Sequence, residues 1–136
     1  LVIIGGDLVG LELAEFLTER GKKITVVEPS NDLGPNLSIV RRSRVIHLLK
    51  SHGVKIIKNA KDIKISNSDV NFELDGTSQS VIANQVIIAM GTEPNTEFAK
   101  ELRENNFNVY MVGDCTSVGY IEGAISDARI AVKEII

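Results

Sequence analysis

Short, mostly apolar runs alternate with segments of helical periodicity over the first half of the chain. Leu1–Ile4 is wholly apolar, which is typical of a strand buried on both faces. Ile24–Glu28 predicts a second buried strand and Val54–Ile57 a third strand. The two segments between them repeat apolar residues at helical spacing, and Gly21 and Gly53 follow as predicted C-terminal caps. The order strand, helix, strand, helix, strand predicts a parallel sheet with order 3-2-1, because such crossovers are right-handed.

The middle of the chain changes to short segments with a period of two. Asp62–Ser66, Val70–Leu74 and Ser78–Ala83 alternate between apolar and polar residues, and Asp75-Gly76 separates the second segment from the third. An Asp-Gly pair between alternating segments is a strong hairpin signal. The pattern therefore predicts an antiparallel three-stranded β-meander within residues 62–83.

The last third of the chain returns to apolar runs and helical segments. Val86–Met90 predicts a buried fourth strand, giving the sheet order 3-2-1-4, and Thr96–Arg103 and a segment from about Tyr120 predict helices. Val109–Val112 is also wholly apolar. We expect it to add a fifth parallel strand beside Val86–Met90, because an exposed apolar strand is costly, with exchange into a neighbouring chain of a homo-oligomer as the alternative. The predicted fold class is α/β, a Rossmann-like parallel sheet with an antiparallel meander.

A glycine-rich turn joins the first predicted strand to the first helix, as in dinucleotide-binding sites. Such sites need glycine where the chain turns sharply and where helix and strand pack closely, and the helix N-terminus offers N–H groups to the pyrophosphate. Gly5 and Gly10 match the first and third glycines of G-x-G-x-x-G, whereas Asp7 stands at the second position. The predicted cofactor-binding residues of this turn are Gly5, Gly6, Asp7, Leu8, Val9 and Gly10.

Asp7 leaves two interpretations of this turn open. A carboxylate about 4 Å from a phosphate charge repels it by roughly 1 to 4 kcal/mol, depending on screening. Aspartate is also a residue type that caps helices, and such a cap would occupy donors that a phosphate needs. The turn is therefore either a dinucleotide site or a Rossmann-shaped scaffold with reduced or lost nucleotide affinity.

Glu28 ends the second predicted strand, roughly 20 residues after the glycines, where an acid can bind both ribose hydroxyls of NADH. Its carboxylate would repel the 2′-phosphate of NADPH, and no arginine follows closely, so we expect NADH to be preferred. The alternative is a glutamate that only solvates the end of the strand.

Two further turns follow apolar runs, as expected of loops beside a nucleotide. Gly91 lets the chain turn after the fourth predicted strand, and Pro94 stiffens the exit of that turn. The aspartate of Gly113-Asp114 can accept a hydrogen bond from a sugar hydroxyl. Taken alone, each turn is also typical of an ordinary strand end. The candidate residues of the two turns are Ala89, Met90, Gly91, Gly113 and Asp114.

Composition and charge argue against several other classes of function. The formal net charge is −3 and no basic block occurs, so we expect no nucleic acid partner. No apolar run approaches the roughly 18 residues of a membrane span, and the single cysteine, Cys115, favours a reducing, cytoplasmic setting. His47 and His52 lack metal-ligand spacing, so we expect no metal site.

The order and spacing of these motifs resemble the pyridine nucleotide-disulfide oxidoreductase superfamily, in which an NAD(P)-binding domain is inserted within an FAD-binding domain. Val2–Glu12 is similar to the start of the inserted domain, and Glu28-Pro29-Ser30 follows as in that family. Ala89–Asn95 resembles its junction segment A-x-G-x-x-P-N, and Val109–Cys115 resembles the closing strand of the FAD domain, whose Gly-Asp contacts the flavin. The resemblance implies an NAD(H)-binding domain over residues 1–104 and a piece of an FAD-binding domain over residues 105–136, with Pro29 among the cofactor-binding residues.

Within the superfamily, Gly10–Ala14, Gly53–Ile56 and Gly113–Cys115 resemble 2-enoate and 2,4-dienoyl-CoA reductases and their NADH:flavin oxidoreductase relatives. This resemblance implies NAD(H) here, FAD in the intact parent protein, and hydride transfer from NADH to flavin. The glycine fingerprint of the FAD domain and a C-x-x-x-x-C pair are absent from this sequence. We therefore expect a fragment that has no catalytic residues of its own and needs the missing FAD-binding domain as its partner.

Overall fold

The computed structural model describes residues 1–135 of the chain, which divides into two compact units. The first unit is Leu1–Gly91 and the second is Thr92–Ile136. This structural division falls earlier in the chain than the boundary between residues 104 and 105, and the domain assignment made from the sequence stays a prediction.

The first unit is built on a four-stranded parallel sheet with helices in its crossovers. Its strands are β1 (Val2–Ile4), β2 (Thr25–Val27), β3 (Lys55–Ile57) and β7 (Val86–Ile88). Their spatial order β3-β2-β1-β7 confirms the predicted 3-2-1-4 arrangement. Ile3 lies opposite Val26 on one side and Ile87 on the other, and Val26 lies opposite Ile56. The helices of the crossovers are α1 (Leu8–Thr18) and α2 (Ile39–Ser51).

The sheet is covered on both faces because successive residues of β1 enter different apolar clusters. Ile3 packs with Leu11 of α1 and Leu49 of α2 in one cluster. Val2 and Ile4 point to the other face and belong to a second cluster. Wholly apolar strands are the sequence signature of such double burial.

A separate antiparallel sheet covers this second face and confirms the predicted meander. Its strands are β4 (Lys61–Ile65), β5 (Asp69–Leu74) and β6 (Thr77–Ile82), in that spatial order. Asp75 and Gly76 both have positive φ, 51° and 76°, as a two-residue hairpin turn of this type requires. Val70 and Phe72 of β5 are buried in the second cluster, so the meander is part of the core.

A serine cap and two glycines define helix ends of the first unit, and the two glycines were predicted from the sequence. Ser38 caps α2 by accepting a hydrogen bond from the backbone N–H of Arg41 at 3.4 Å. Gly21 and Gly53 follow α1 and α2 with φ of 74° and 75°, a conformation that glycine adopts without a Cβ penalty.

β7 is less buried than its apolar sequence predicts. It pairs only with β1 and forms an edge of the sheet. Ile88 is 67% exposed and Met90 is 54% exposed. The prediction of a strand buried along its whole length is therefore wrong at its C-terminal end, because an edge strand has no neighbour on one side.

The second unit contains two helices, α3 (Glu97–Glu104) and α4 (Tyr120–Ile135), and a single 3-10 turn at Gly113–Cys115. Both helices were expected from the sequence. The fifth strand was not formed: within residues 92–135 no strand is present, and the sheet of the first unit keeps four strands.

The prediction of a parallel strand at Val109–Val112 is therefore wrong. A strand exists only where a neighbour completes its ladder of hydrogen bonds, and apolar residues alone do not supply one. The carbonyl of Val109 accepts instead from the Arg103 guanidinium at 3.2 Å, and the carbonyl of Val112 accepts from the Cys115 thiol at 3.2 Å. Tyr110 is 40% exposed and Val112 is 41% exposed.

Within residues 1–135, none of the helices combines the length and the apolar character needed to cross a bilayer.

The role of the meander in the core predicts a large cost for Phe72→Ala. Phe72 is 2% exposed beneath the parallel sheet, so the free energy of unfolding should fall by about 3–5 kcal/mol. Phe98→Ala on α3 is the matched control, because Phe98 is 69% exposed and its loss should cost no more than about 0.5 kcal/mol. Urea unfolding followed by far-UV circular dichroism measures both. Equal costs would contradict the assignment of Phe72 to the core.

Candidate functional site

The turn between β1 and α1 is packed so closely that two of its positions admit only glycine. Gly5 has a φ of 107°, and a Cβ there would lie 2.2 Å from the carbonyl oxygen of Ala89. A Cβ on Gly10 would lie 2.0 Å from the carbonyl oxygen of Gly5. The first and third glycines of the motif are therefore required by the fold itself, whether or not a nucleotide binds.

The loop after β2 packs against this turn. The backbone N–H of Gly34 donates to the carbonyl of Gly6 at 2.8 Å. Leu33 is 5% exposed, and its Cδ2 would lie 2.5 Å from a Cβ on Gly6. Gly6 therefore serves as the contact between the glycine turn and a loop that carries no recognised motif.

The N-terminus of α1 is left without a side-chain cap among residues 1–135. The helix begins at Leu8, and its first internal hydrogen bond runs from the Leu11 N–H to the Asp7 carbonyl at 2.9 Å. Its first turn carries no acidic residue, and Val9 is 62% exposed. The amide groups at this end of α1 thus retain the positive partial charge that attracts phosphates.

Asp7 occupies the cap position but does not act as a cap. Its backbone is extended, with φ −86° and ψ −169°, and its side chain makes no capping hydrogen bond. Oδ2 accepts instead from Nδ2 of Asn36 at 3.1 Å, while Oδ1 is buried and has no hydrogen-bond partner among the described residues. The sequence-based alternative in which Asp7 occupies the donors of α1 is therefore wrong for this structure.

Glu28 lies at the end of β2 with both carboxylate oxygens in short hydrogen bonds. Oε2 accepts from the backbone N–H of Gly6 at 2.6 Å, and Oε1 accepts from the N–H of Ser30 at 2.7 Å. Such charge-assisted bonds fix both the position and the orientation of the carboxylate. Pro29 carries the chain from this acid into the loop. Glu28 is thus more than a solvated strand end, because it joins the glycine turn to the loop after β2.

The structure brings six of the eleven predicted residues of the first unit around one concave site of about 230 Å³, whose lining does not include Gly6, Leu8, Val9, Gly10 or Pro29. Ala89 follows β7, and its N–H donates to the carbonyl of Ile4 at 2.7 Å. Gly91 turns the chain with a φ of 95°. The predicted residues that line the site are Gly5, Asp7, Glu28, Ala89, Met90 and Gly91.

The charges around this concavity are negative. Asp7, Glu28 and Asp32 line it, and no lysine or arginine among the described residues does so. Two arginines of α2 are engaged in ion pairs: Arg42 pairs with Asp32 at 3.3 Å, and Arg41 pairs with Glu15 at 3.3 Å. This balance disfavours an additional phosphate at the end of β2.

Gly113 and Asp114 form a turn of their own in the second unit. The Gly113 N–H donates to Oδ2 of Asp127 at 3.1 Å, and the same oxygen accepts from the Thr116 hydroxyl at 3.1 Å. Oδ1 of Asp114 accepts from the N–H of Gly119 at 3.1 Å. The contribution of Asp127 was missed at the level of sequence, because nothing in its helical context distinguishes it from a surface aspartate.

A parallel sheet, a glycine turn opening a helix and an acid at the end of the next strand define a nucleotide-binding Rossmann-like domain. Residues 1–134 match the sequence model of the family described as "pyridine nucleotide-disulphide oxidoreductase". The chain belongs to this family of flavoprotein oxidoreductases, which confirms the resemblance inferred from its motifs. Membership implies the use of a flavin and of NAD(P).

Individual relatives differ in their named activities. The chain is 26% identical to dihydrolipoyl dehydrogenase of Mycoplasma genitalium over 152 residues, covering 99% of this chain and 33% of that protein. It is 28% identical to cinnamate reductase of Clostridium sporogenes over 138 residues, covering 99% of this chain and 21% of that protein. The solved structure of 2-naphthoyl-CoA reductase with 2-naphthoyl-CoA superposes with a TM-score of 0.82 and 26% identity, covering 93% of this chain and 19% of that chain. The chain thus spans a third or less of each of these proteins.

The close packing at the glycine turn predicts that Gly10→Ala destabilises the first unit by about 3 kcal/mol, because the new methyl group collides with backbone that cannot move aside. Gly53→Ala is the control, since it imposes a left-handed backbone on alanine but has no atom within 4 Å, and should cost about 1 kcal/mol. Chemical denaturation measures both. Equal losses would mean that the turn relaxes to admit a side chain.

Proposed function

We propose that this chain supplies the NADH-binding part of an FAD-dependent oxidoreductase that passes hydride from NADH to flavin. The observation that carries the proposal is the Glu28 carboxylate, held at the end of β2 by the backbone of Gly6 and Ser30. Its position beside the glycine turn is the place where related folds bind the adenosine ribose of a dinucleotide.

The hydrogen bonds of Glu28 leave it able to bind a ribose. Each carboxylate oxygen has about two acceptor sites, and each uses one for a backbone N–H. The remaining acceptor sites suit the 2′- and 3′-hydroxyls of NADH. The 2′-phosphate of NADPH would meet Glu28 and Asp32, and within residues 1–135 no basic residue lines the site, which favours NADH.

The N-terminus of α1 supplies the complementary feature for the pyrophosphate. Its amide groups carry no side-chain cap, and the fit of a phosphate there rests on the same backbone donors that Rossmann folds use. The concavity of about 230 Å³ is smaller than the roughly 300–1,000 Å³ of common ligand pockets, so it would hold only part of a dinucleotide. We propose that the missing FAD-binding domain of the parent is the partner that completes the site.

The chemistry within the parent follows from the two cofactors. NADH supplies a hydride, two electrons with a proton, and flavin accepts it before passing electrons onward. The residues of this chain bind and orient the nucleotide and are not themselves chemical groups in the transfer. Gly113 and Asp114 are proposed to contact the flavin, as the resemblance of Val109–Cys115 implies.

An enoate- or dienoyl-CoA-reductase type of parent is favoured by two of the comparisons. Cinnamate reductase and 2-naphthoyl-CoA reductase are named for unsaturated carboxylates or thioesters. A C-x-x-x-x-C pair elsewhere in the parent would instead place it with the disulfide reductases. The sequence of the parent around this chain decides between the two.

Titration calorimetry of the chain with NADH and with NADPH tests the proposal. We expect saturable NADH binding and at least about tenfold weaker NADPH binding, since one lost charge-assisted bond or one repulsion is worth about that factor. Glu28→Gln should weaken NADH binding about tenfold and reduce the preference over NADPH. Glu12→Gln is the matched control, because Glu12 lies on α1 in an ion pair with Arg41 and does not line the site. An unchanged preference in Glu28→Gln would contradict the role of Glu28.

Asp7 motivates a second candidate function, a Rossmann scaffold or docking domain that has lost nucleotide binding. The carboxylate stands where the motif has its second glycine, and it lines the concave site. In this alternative neither NADH nor NADPH binds, and the glycines persist only because the fold needs them.

The variant Asp7→Gly separates charge repulsion from loss of the site. Removing a carboxylate near the pyrophosphate should strengthen NADH binding by about tenfold, a gain of roughly 1.4 kcal/mol. The same calorimetric titration measures the gain. Unchanged binding would rule out repulsion by Asp7, and the absence of binding in both forms would favour the scaffold.

A further inference from the structure

The loop after β2 holds its position on the glycine turn through backbone contacts. The Gly34 N–H donates to the Gly6 carbonyl at 2.8 Å, and Leu33 is buried against Gly6. Gly34 has a φ of 54°, and a Cβ there would lie 2.7 Å from Leu37 and 3.0 Å from Leu11. This tight loop places Asn36 within hydrogen-bonding distance of Asp7, although the two are 29 residues apart in the sequence.

The Asp7 carboxylate has two competing sets of donors. It stands at the cap position of α1, where an aspartate ordinarily accepts hydrogen bonds from the N–H groups two or three residues onward. In the structure it accepts from the side-chain amide of Asn36 at 3.1 Å and leaves the helix uncapped. No other residue among those described donates to this carboxylate, because Oδ1 has no partner.

We infer that Asn36 is a positioning residue for dinucleotide binding: its side-chain amide draws the Asp7 carboxylate away from the end of α1 and keeps the helix N–H groups available for a pyrophosphate. The inference rests on the proposed function for the pyrophosphate itself. Whether Asp7 bonds to Asn36 or caps α1 can be measured without any ligand.

The inference explains how a carboxylate can stand at the second glycine position of a working site. A side chain at this position is harmful in two ways, by its charge and by its capacity to occupy the donors. Asn36 removes the second effect and leaves the first. Asn36→Ala should therefore release Asp7 to cap α1, which weakens NADH binding and at the same time stabilises the helix.

A double-mutant cycle tests the inference in the chain as it stands. Asn36→Ala should weaken NADH binding by about three- to tenfold, the range expected when one hydrogen bond to a charged group is lost. In an Asp7→Gly background the same substitution should leave NADH affinity unchanged, because no carboxylate remains to be positioned. Asn31→Ala is the matched control: Asn31 lies in the same loop but binds Lys58 instead of Asp7.

A ligand-free measurement separates the inference from the proposed function. Asn36→Ala should shift the backbone amide resonances of Val9 and Gly10, which gain a carboxylate acceptor, and should raise the melting temperature slightly. Neither change is expected of Asn31→Ala or of Asn36→Ala in the Asp7→Gly background. Both readouts can be measured even if the wild-type chain does not bind NADH. That result would contradict the proposed function, but the effect of Asn36 on Asp7 could still be measured.

Two results would overturn the inference. An equal loss of NADH affinity in the wild-type and Asp7→Gly backgrounds would mean that Asn36 acts by holding the loop and not through Asp7. Unmoved Val9 and Gly10 resonances in Asn36→Ala would mean that Asp7 does not cap α1 when released.

Discussion

The backbone at the glycine turn lies so close to its neighbours that the positions of α1, β1 and the end of β7 depend on it. Gly10 touches the carbonyl of Gly5, and Gly5 touches the carbonyl of Ala89, so α1, β1 and the end of β7 are locked together within van der Waals distance. This contact sets where α1 begins and where its N-terminal amide groups point. The end of β2, with Glu28, then lies beside the turn because β2 pairs in register with β1.

Burial of both sheet faces leaves one edge for chemistry. Leu11 and Leu49 bring α1 and α2 onto one face, and Phe72 brings the meander onto the other. The carboxyl ends of the strands are the part of the sheet that neither layer covers, and loops gather there in open α/β sheets. The concavity between Gly5, Glu28 and Ala89 is the result, so the same packing that stabilises the domain also creates its candidate site.

The hydrogen-bond partners of Asp7 and Glu28 determine the roles of these two acids in the site. Asp7 has the residue type and the position of a helix cap, yet a side chain from a distant loop takes its carboxylate. Glu28 has the position of a ribose ligand, yet it also clamps Gly6 and Ser30. Glu28 thus has a structural role and a proposed ligand role at once, and the acceptor capacity of a carboxylate permits both.

The sequence by itself determined the strands, helices, meander and glycine turn, because each is encoded by local periodicity or by glycine at positions of positive φ. It also placed Glu28 and the glycines in one site through the rule that parallel strands share a carboxyl edge. Only the tertiary structure decided that Ile88 is exposed, that Val109–Val112 forms no strand, and that Asn36 engages Asp7. Strand pairing and long-range side-chain bonds depend on which groups meet in space, and a local pattern carries no information about an absent neighbour or a loop 29 residues away.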